Sequence, residues 1–81
     1  MILIDATYIN ELGGKNLLEY FLKSIDEKGL TPIFFVLLDK RISLESSNLE
    51  NHFYIEASEA NRSKFYKMNA NKFSKTFCFA N

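Results

Sequence analysis

The sequence of 81 residues has few of the residues that mark several classes of protein. Its one cysteine, Cys78, excludes a disulfide framework, and we expect it to be a buried structural thiol. Its one histidine, His52, has no second histidine or activated nucleophile beside it, so a catalytic triad has no support. The longest apolar run, 33–38, is far too short to span a bilayer. Because 81 residues make at most one domain, a single small domain is expected.

Targeting signals are also lacking at the start of the sequence. The chain reaches Asp5 after four residues without the basic segment that opens a secretory signal peptide. We therefore expect a cytoplasmic protein.

Charge is balanced overall but unevenly distributed, with ten basic and ten acidic residues. Residues 60–81 contain no acid and five basic residues, which are Arg62, Lys64, Lys67, Lys72 and Lys75. A solvated helix face is the simplest interpretation of this basic stretch. Contact with a phosphate-bearing substrate or an anionic membrane comes next, and sequence-specific nucleic-acid binding is not expected.

Strand and helix patterns alternate along the chain. The order is strand 2–4, helix 14–28, strand 32–39, polar loop 40–51, strand 52–56, helix 58–71 and strand 76–80. Gly29 is expected to end the first helix in a left-handed conformation. The start of that helix is left open between Gly14 and a capping box of Asn16 with Glu19. In the second helix, Phe65, Met68 and Phe73 are expected to face inward.

These patterns predict an α/β fold. The run 33–38 does not alternate, which is typical of a parallel strand covered on both faces. We expect 1–81 to form one partial Rossmann-like domain, a parallel sheet of about four strands with a main helix on each face. Two helices cannot cover both faces of four such apolar strands. A truncated front portion of a longer domain is therefore expected, with coverage by another chain as the alternative.

A glycine pair between the first strand and the first helix is the main site candidate. Gly13, Gly14, Lys15 and Asn16 are predicted to form a loop whose backbone N–H groups approach a phosphate or another substrate group. The loop is not a P-loop, because Ile9 and Asn16 stand where a glycine and a Ser or Thr are needed. A plain turn into the helix is an equally good interpretation.

Three carboxylates lie at the carboxyl ends of predicted strands: Asp5, Asp39 and Glu56. If their oxygen atoms converge at this edge of the sheet, the three carboxylates could bind Mg²⁺ or Mn²⁺. Capping of loops is the stronger interpretation, because Asp and Glu commonly do this at strand ends. No residue is therefore assigned as a metal ligand.

A family resemblance adds to this interpretation. Residues 2–7, followed by 13–15 and 17–21, resemble the amino terminus of bacterial family 4 (group 1 type) glycosyltransferases with the two-domain GT-B fold. Residues 61–66 and 77–81 resemble the second half of that same amino-terminal domain. The resemblance implies that the loop at Gly13 and Gly14 faces the cleft between two domains, with Lys15 as a charge partner. It also implies that Asp5 and Asn81 lie at the cleft rim.

The resemblance implies a function in polysaccharide biosynthesis. The amino-terminal domain of such enzymes handles the acceptor, a saccharide or a lipid-linked saccharide. The nucleotide-sugar donor is bound chiefly by a second domain that these 81 residues lack, so the chain alone is expected to be inactive. No metal or other cofactor is implied and no catalytic residue is assigned. The basic stretch 62–75 would help the enzyme to dock peripherally on the inner face of the membrane.

Two other classes remain open. The first strand with Asp5 and the nearby Asn10 is similar to the start of small Mg²⁺-dependent nucleases of the PIN-like kind. A non-enzymatic interaction module would instead use an exposed sheet edge to bind a partner or a second copy of the chain.

Overall fold

The fold is a four-stranded parallel sheet between two helices, as given by a computed structural model that describes residues 1–42, 44 and 50–79. Part of the predicted loop 40–51 lies outside the described residues, as do residue 80 of the last predicted strand and Asn81 after it. The elements in chain order are β1 Ile2–Ala6, α1 Leu12–Glu27, a 3₁₀ turn Thr31–Ile33, β2 Phe34–Asp39, β3 His52–Ile55, α2 Glu59–Met68 and β4 Lys75–Cys78. The predicted α/β class, with a partial Rossmann-like parallel sheet of about four strands and two main helices, is confirmed.

The strands lie in the order β3-β2-β1-β4. Asp5 of β1 is in register with Leu37 of β2 and with Cys78 of β4. The chain first builds outward from β1 through β2 to β3, and α2 then carries it back to β4 on the other side of β1. The strand order therefore reverses between β1 and β4. In open parallel sheets, ligands bind at the carboxyl ends of the strands beside such a reversal.

Helix α1 closes one face of the sheet with an apolar core. Its inward residues Leu18, Leu22 and Ile25 follow helical spacing and are 0%, 2% and 6% exposed. They pack on alternate residues of the two central strands, which are Ile4, Ala6, Val36 and Leu38. Full burial of each such side chain contributes about 1.5–3 kcal/mol. This face therefore holds most of the apolar stabilisation.

The ends of α1 show where the sequence was informative. Gly29 has a φ of 69°, and its N–H donates to the Asp26 carbonyl while the Leu30 N–H donates to the Ile25 carbonyl. This is a Schellman motif, so the predicted left-handed cap is confirmed. The start differs from both predictions, because α1 begins at Leu12. The Lys15 N–H donates to the Glu11 carbonyl at 2.9 Å, which extends the helix one turn before the expected capping box.

Helix α2 covers the other face through aromatic contacts. The ring of Phe35 on β2 lies 6.0 Å from Phe65 and 5.4 Å from Phe73, and Phe53 on β3 lies 6.2 Å from Phe65. The inward positions of Phe65 and Phe73 are confirmed. Met68 is 75% exposed, so its inward prediction is wrong. It lies at the wall of a groove between α2 and β3, beyond the part of α2 that reaches the central strands.

Coverage of the sheet is incomplete at β4. All four residues of this strand are exposed, and Phe77 is 53% exposed. The core is centred instead on β1 and β2. No helix in 1–42 or 50–79 is long and apolar enough to cross a membrane.

Candidate functional site

Polar and aromatic side chains gather at the carboxyl-end edge of the sheet, beside the reversal between β1 and β4. Strands β1, β2 and β4 bring the carboxylates and the thiol to this edge, while the first turns of α2 lean over it. We call this surface the rim and define it as Asp5, Thr7, Tyr8, Asp39, Arg41, Arg62, Tyr66 and Cys78.

Asp5 is the buried anchor of the rim, with 2% of its surface exposed. Its carboxylate accepts hydrogen bonds from the Thr7 N–H at 3.0 Å, from the Thr7 hydroxyl at 2.6 Å and from the Tyr66 hydroxyl. Burial and the neighbouring Asp5 carboxylate raise the pKa of Tyr66 well above its ordinary value. The phenol is therefore protonated at neutral pH and ties α2 to β1.

Asp39 ends β2 and is 1% exposed. Arg41 donates to its carboxylate from the backbone N–H at 3.0 Å, from Nε at 2.9 Å and from Nη2 at 2.6 Å. Burial acts to raise the pKa of Asp39, but the hydrogen bonds and charge of Arg41 outweigh it and leave this pKa below its ordinary value. The chain itself thus supplies hydrogen-bond donors to both buried carboxylates of the rim.

Arg62 lies beside the carboxyl end of β1, with its guanidinium carbon 4.4 Å from the centre of the Tyr8 ring. The charge of Arg62 acts on Asp39 toward β2 and on Cys78 toward β4. Arg62 and Tyr66 are four residues apart on α2, so they share one helix face above β1. A cation–π contact of this kind fixes the plane of the guanidinium.

The expectation that Cys78 is a buried thiol is wrong, because Cys78 is exposed. The reason is its place on β4, an edge strand that neither helix covers. Partial burial and the charge of Asp5 raise the pKa of the Cys78 thiol, against a smaller opposing effect of Arg62. The thiol is therefore protonated at neutral pH and is not an activated nucleophile.

The predicted loop of Gly13, Gly14, Lys15 and Asn16 is helical rather than a loop, since all four residues lie in the first turns of α1. Gly14 is buried, whereas Gly13 and Asn16 are exposed. Lys15 Nζ lies 4.0 Å from Glu19 Oε1, along the helix. The N–H groups of the first helical turn have no hydrogen-bond partner within the helix. A glycine in this turn therefore lowers helix stability less than one in the middle of the helix.

Two other residues that the sequence singled out, Asn81 and Asn10, are not part of the rim as defined here. Asn81, expected at the cleft rim, lies outside the described residues. Asn10, singled out for the nuclease alternative, is exposed on the segment between β1 and α1.

Metal-ligand geometry is lacking in the part of the chain that the structure describes. Within 1–42 and 50–79, no group of three His, Cys, Asp or Glu side chains is placed to hold a metal ion. Glu56, the third predicted carboxylate, is exposed beyond the end of β3.

The basic stretch is divided between several environments. Lys64 lines the groove beside α2, and Lys72 Nζ lies 4.6 Å from the centre of the Phe35 ring. Lys67 is exposed near the end of α2. Lys75 is in register with Ile2, which packs toward the α1 face. Lys64 and Lys72 thus line the same groove, while Arg62 belongs to the rim.

A concave surface distinct from the rim lies between α2 and β3. It has a volume of about 810 Å³, with Phe35, Phe53 and Phe65 among its apolar walls and Lys40 and Lys64 among its charged ones. This groove lies on the α2 face, away from the strand reversal.

Sequence reasoning missed most of the rim. It noted Arg62 only as part of a basic stretch and did not assign Thr7, Tyr8 or Tyr66 to a site. The spacing of Arg62 and Tyr66 was a usable signal, because it predicts a shared helix face. Placing that face over β1 requires the strand order, since Asp5 and Tyr66 are 61 residues apart.

Comparisons with known proteins identify no relative of this chain. No family model matches the chain, and neither curated proteins nor solved structures give a match to it.

Proposed function

We propose that this chain is the acceptor-side, amino-terminal portion of a GT-B-type glycosyltransferase, an enzyme that transfers a sugar from a nucleotide-sugar to a saccharide or lipid-linked acceptor. One observation carries the proposal most directly. The reversal of strand order between β1 and β4 coincides with the rim, so hydrogen-bonding and aromatic side chains lie where parallel α/β sheets bind ligands.

The chemistry of the rim suits a polyhydroxylated ligand. The Tyr66 hydroxyl donates to Asp5, and its oxygen can still accept a hydrogen bond from a ligand hydroxyl. The Tyr8 ring is 50% exposed and offers an apolar surface with a polar end. Small-molecule sites typically combine such aromatic surface with a few placed polar groups.

In this proposal the rim is one wall of a cleft. The opposite wall, with the nucleotide-sugar site, belongs to a domain outside these 81 residues. The chain alone is then inactive, because the donor and the acceptor cannot be held together.

The carboxylates of the rim favour this proposal over a metal-dependent nuclease. Oxygen atoms of Asp5 and Asp39 accept hydrogen bonds from Thr7, Tyr66 and Arg41. A Mg²⁺ ion is bound through carboxylate oxygens and would compete with these donors. Mn²⁺ titration tests the alternative: the nuclease requires a rise in melting temperature that Asp5→Asn abolishes, and we expect neither.

The proposal includes a peripheral contact with anionic membranes through the basic stretch. Arg62, Lys64 and Lys67 lie on α2, and Lys72 and Lys75 follow it in the chain. Each Lys near an anionic bilayer contributes about 1 kcal/mol. We therefore expect weak binding to vesicles of anionic lipid that is lost at high salt, measured by co-sedimentation.

The decisive experiment is an activity assay on the product of the whole reading frame that starts at Met1. The protein is incubated with a panel of nucleotide-sugars and saccharide acceptors, and acceptor-dependent release of nucleoside diphosphate is measured. We expect release by a product that contains a second, donor-binding domain and none by residues 1–81 alone. A frame with unrelated sequence beyond Asn81, or a complete product without release, would contradict the proposal.

A matched pair of variants connects that activity to the rim. Tyr8→Ala removes an aromatic ring at the rim, and Tyr20→Ala removes one that is 72% exposed on α1. We expect Tyr8→Ala to raise KM for the acceptor and Tyr20→Ala to leave it unchanged. Equal effects of the two variants on KM would show that the rim is not part of the acceptor site.

A second candidate, an interaction module, is favoured by the exposed apolar surface of β4. Phe77 is 53% exposed on this edge strand, and unpaired edges invite association. Sedimentation velocity separates the candidates, because the module requires concentration-dependent self-association or partner binding that Phe77→Lys abolishes.

A further inference from the structure

Arg62 differs from the other arginine of the rim because it pairs with no carboxylate among the residues that the structure describes. Arg41 pairs with Asp39 at 2.6 Å, whereas Arg62 forms no salt bridge with any residue in 1–42, 44 or 50–79. Its guanidinium carbon lies 4.4 Å from the centre of the Tyr8 ring. Arg62 therefore brings a positive charge to the rim that no ion pair offsets there.

The carboxylates around Arg62 are already engaged. Asp39 accepts three hydrogen bonds from Arg41, and Asp5 accepts three from Thr7 and Tyr66. Neither needs Arg62 as a donor. The guanidinium N–H groups of Arg62 are thus available to a ligand that approaches the carboxyl ends of β1 and β4.

Arg62 is also held more firmly than a surface lysine would be. It is partly buried and its guanidinium carbon lies 4.4 Å over the Tyr8 ring, whereas Lys67, five residues further along the same helix, is exposed. A stacked guanidinium keeps its planar fork in one orientation, which suits two-point binding of a carboxylate or a phosphate.

We propose that the acceptor at this rim is an anionic saccharide, whose carboxylate or phosphate pairs with Arg62 while its ring contacts Tyr8 and its hydroxyls reach Tyr66. The inference rests on the proposed function, because it names the class of acceptor for that same site. The group that recognises the ligand is a planar cation, and the group recognised is an oxyanion carried on a sugar.

The test is a ligand titration of residues 1–81, monitored by NMR. The probes are methyl β-D-glucuronide, the neutral methyl β-D-glucoside, glucose 1-phosphate, acetate and inorganic phosphate. We expect the glucuronide or glucose 1-phosphate to bind at least about tenfold more tightly than the glucoside, as for a hydrogen bond to a charged group. Whichever of the two binds more tightly identifies the oxyanion.

Variants of α2 attribute that preference to one side chain. Arg62→Gln is expected to reduce affinity for the anionic sugar about tenfold, to the level of the neutral glucoside. Lys67→Gln removes the same charge from an exposed position on the same helix and should change affinity less than about twofold. If Arg62→Gln fails to fold, Arg62→Lys serves instead, since it keeps the charge and should lose much of the affinity with the stacked fork.

The results separate failure of this inference from failure of the proposed function. Equal binding of the glucuronide, glucose 1-phosphate and the glucoside at the rim would overturn the anionic preference and leave a neutral saccharide acceptor. Equal binding of acetate or phosphate and the charged sugars would show that the sugar ring is not recognised. Binding of none of the sugars, or equal effects of Arg62→Gln and Lys67→Gln, would overturn the inference.

Discussion

The two faces of the sheet are built on different principles. On the α1 face, buried aliphatic side chains such as Leu18 and Leu38 form a closed core. On the α2 face, no residue of the helix is buried, and partly exposed aromatic rings and a polar bond from Tyr66 to Asp5 hold the helix. The α1 face carries stability, while the α2 face places polar groups at the rim. A helix held by few apolar contacts is the one whose side chains remain available to a ligand.

The largest expected effect comes from removing a core side chain on the α1 face. Leu22→Ala should lower the free energy of unfolding by about 2–5 kcal/mol, because Leu22 is 2% exposed and packs on the central strands. Phe65→Ala on the α2 face should cost about 1–2 kcal/mol, since its ring is only partly buried. Urea unfolding monitored by circular dichroism measures both.

Leu17→Ala is the control on α1, because Leu17 is 55% exposed. It should change the free energy of unfolding by less than about 0.5 kcal/mol. The contrast between the two faces would be broken if Phe65→Ala cost as much as Leu22→Ala.

The next effect tests the polar attachment of α2. Tyr66→Phe removes one hydrogen bond to the buried Asp5 carboxylate and should cost about 1–3 kcal/mol. Tyr20→Phe, at a position that is 72% exposed, should cost nothing measurable. If Tyr66→Phe leaves the free energy of unfolding unchanged, aromatic packing alone holds α2.

The same bond predicts a dependence of stability on pH. Burial and Asp5 raise the pKa of Tyr66 in the folded state above its ordinary value of 10.0, so the unfolded chain loses this proton first. Stability from this group is present below pH 10 and declines as the pH rises above it. Tyr66→Phe should flatten the alkaline part of the stability profile, and an unchanged slope would contradict the assignment.

The smallest effect concerns the start of α2. The Ser58 hydroxyl accepts a hydrogen bond from the Asn61 N–H at 3.1 Å, so Ser58→Ala should cost about 1 kcal/mol. Ser63→Ala, at an exposed position inside α2, should be neutral or slightly stabilising. Thermal unfolding distinguishes the pair, and equal melting temperatures would show that α2 does not depend on its cap.

The sequence predicted the α1 face better than the α2 face for a physical reason. The stripe of Leu18, Leu22 and Ile25 is a strong local signal, and the left-handed Gly29 is almost dictated by its residue type. The positions of Met68 and Cys78 depend on how far the sheet extends beside them, which local periodicity does not report.

The candidate site was predictable only in its location. The carboxyl ends of the strands and Asp5 followed from the parallel-sheet pattern. The hydrogen bond from Tyr66 to Asp5 and the contact of Arg62 with the Tyr8 ring arise because α2 crosses from β3 to β4 and passes over β1. That crossing depends on the topology of the sheet, so no short sequence motif predicts it.

Mapping saccharide binding onto the chain tests the central claim that the rim, and not the groove between α2 and β3, meets the ligand. Saccharide is added to ¹⁵N-labelled chain, and backbone amide shifts are followed residue by residue. We expect the amide signals of Thr7, Tyr8, Arg62 and Tyr66 to shift and those of Phe53 and Lys64 to stay unchanged. Shifts confined to Phe53, Lys64 and their neighbours in the groove would contradict it.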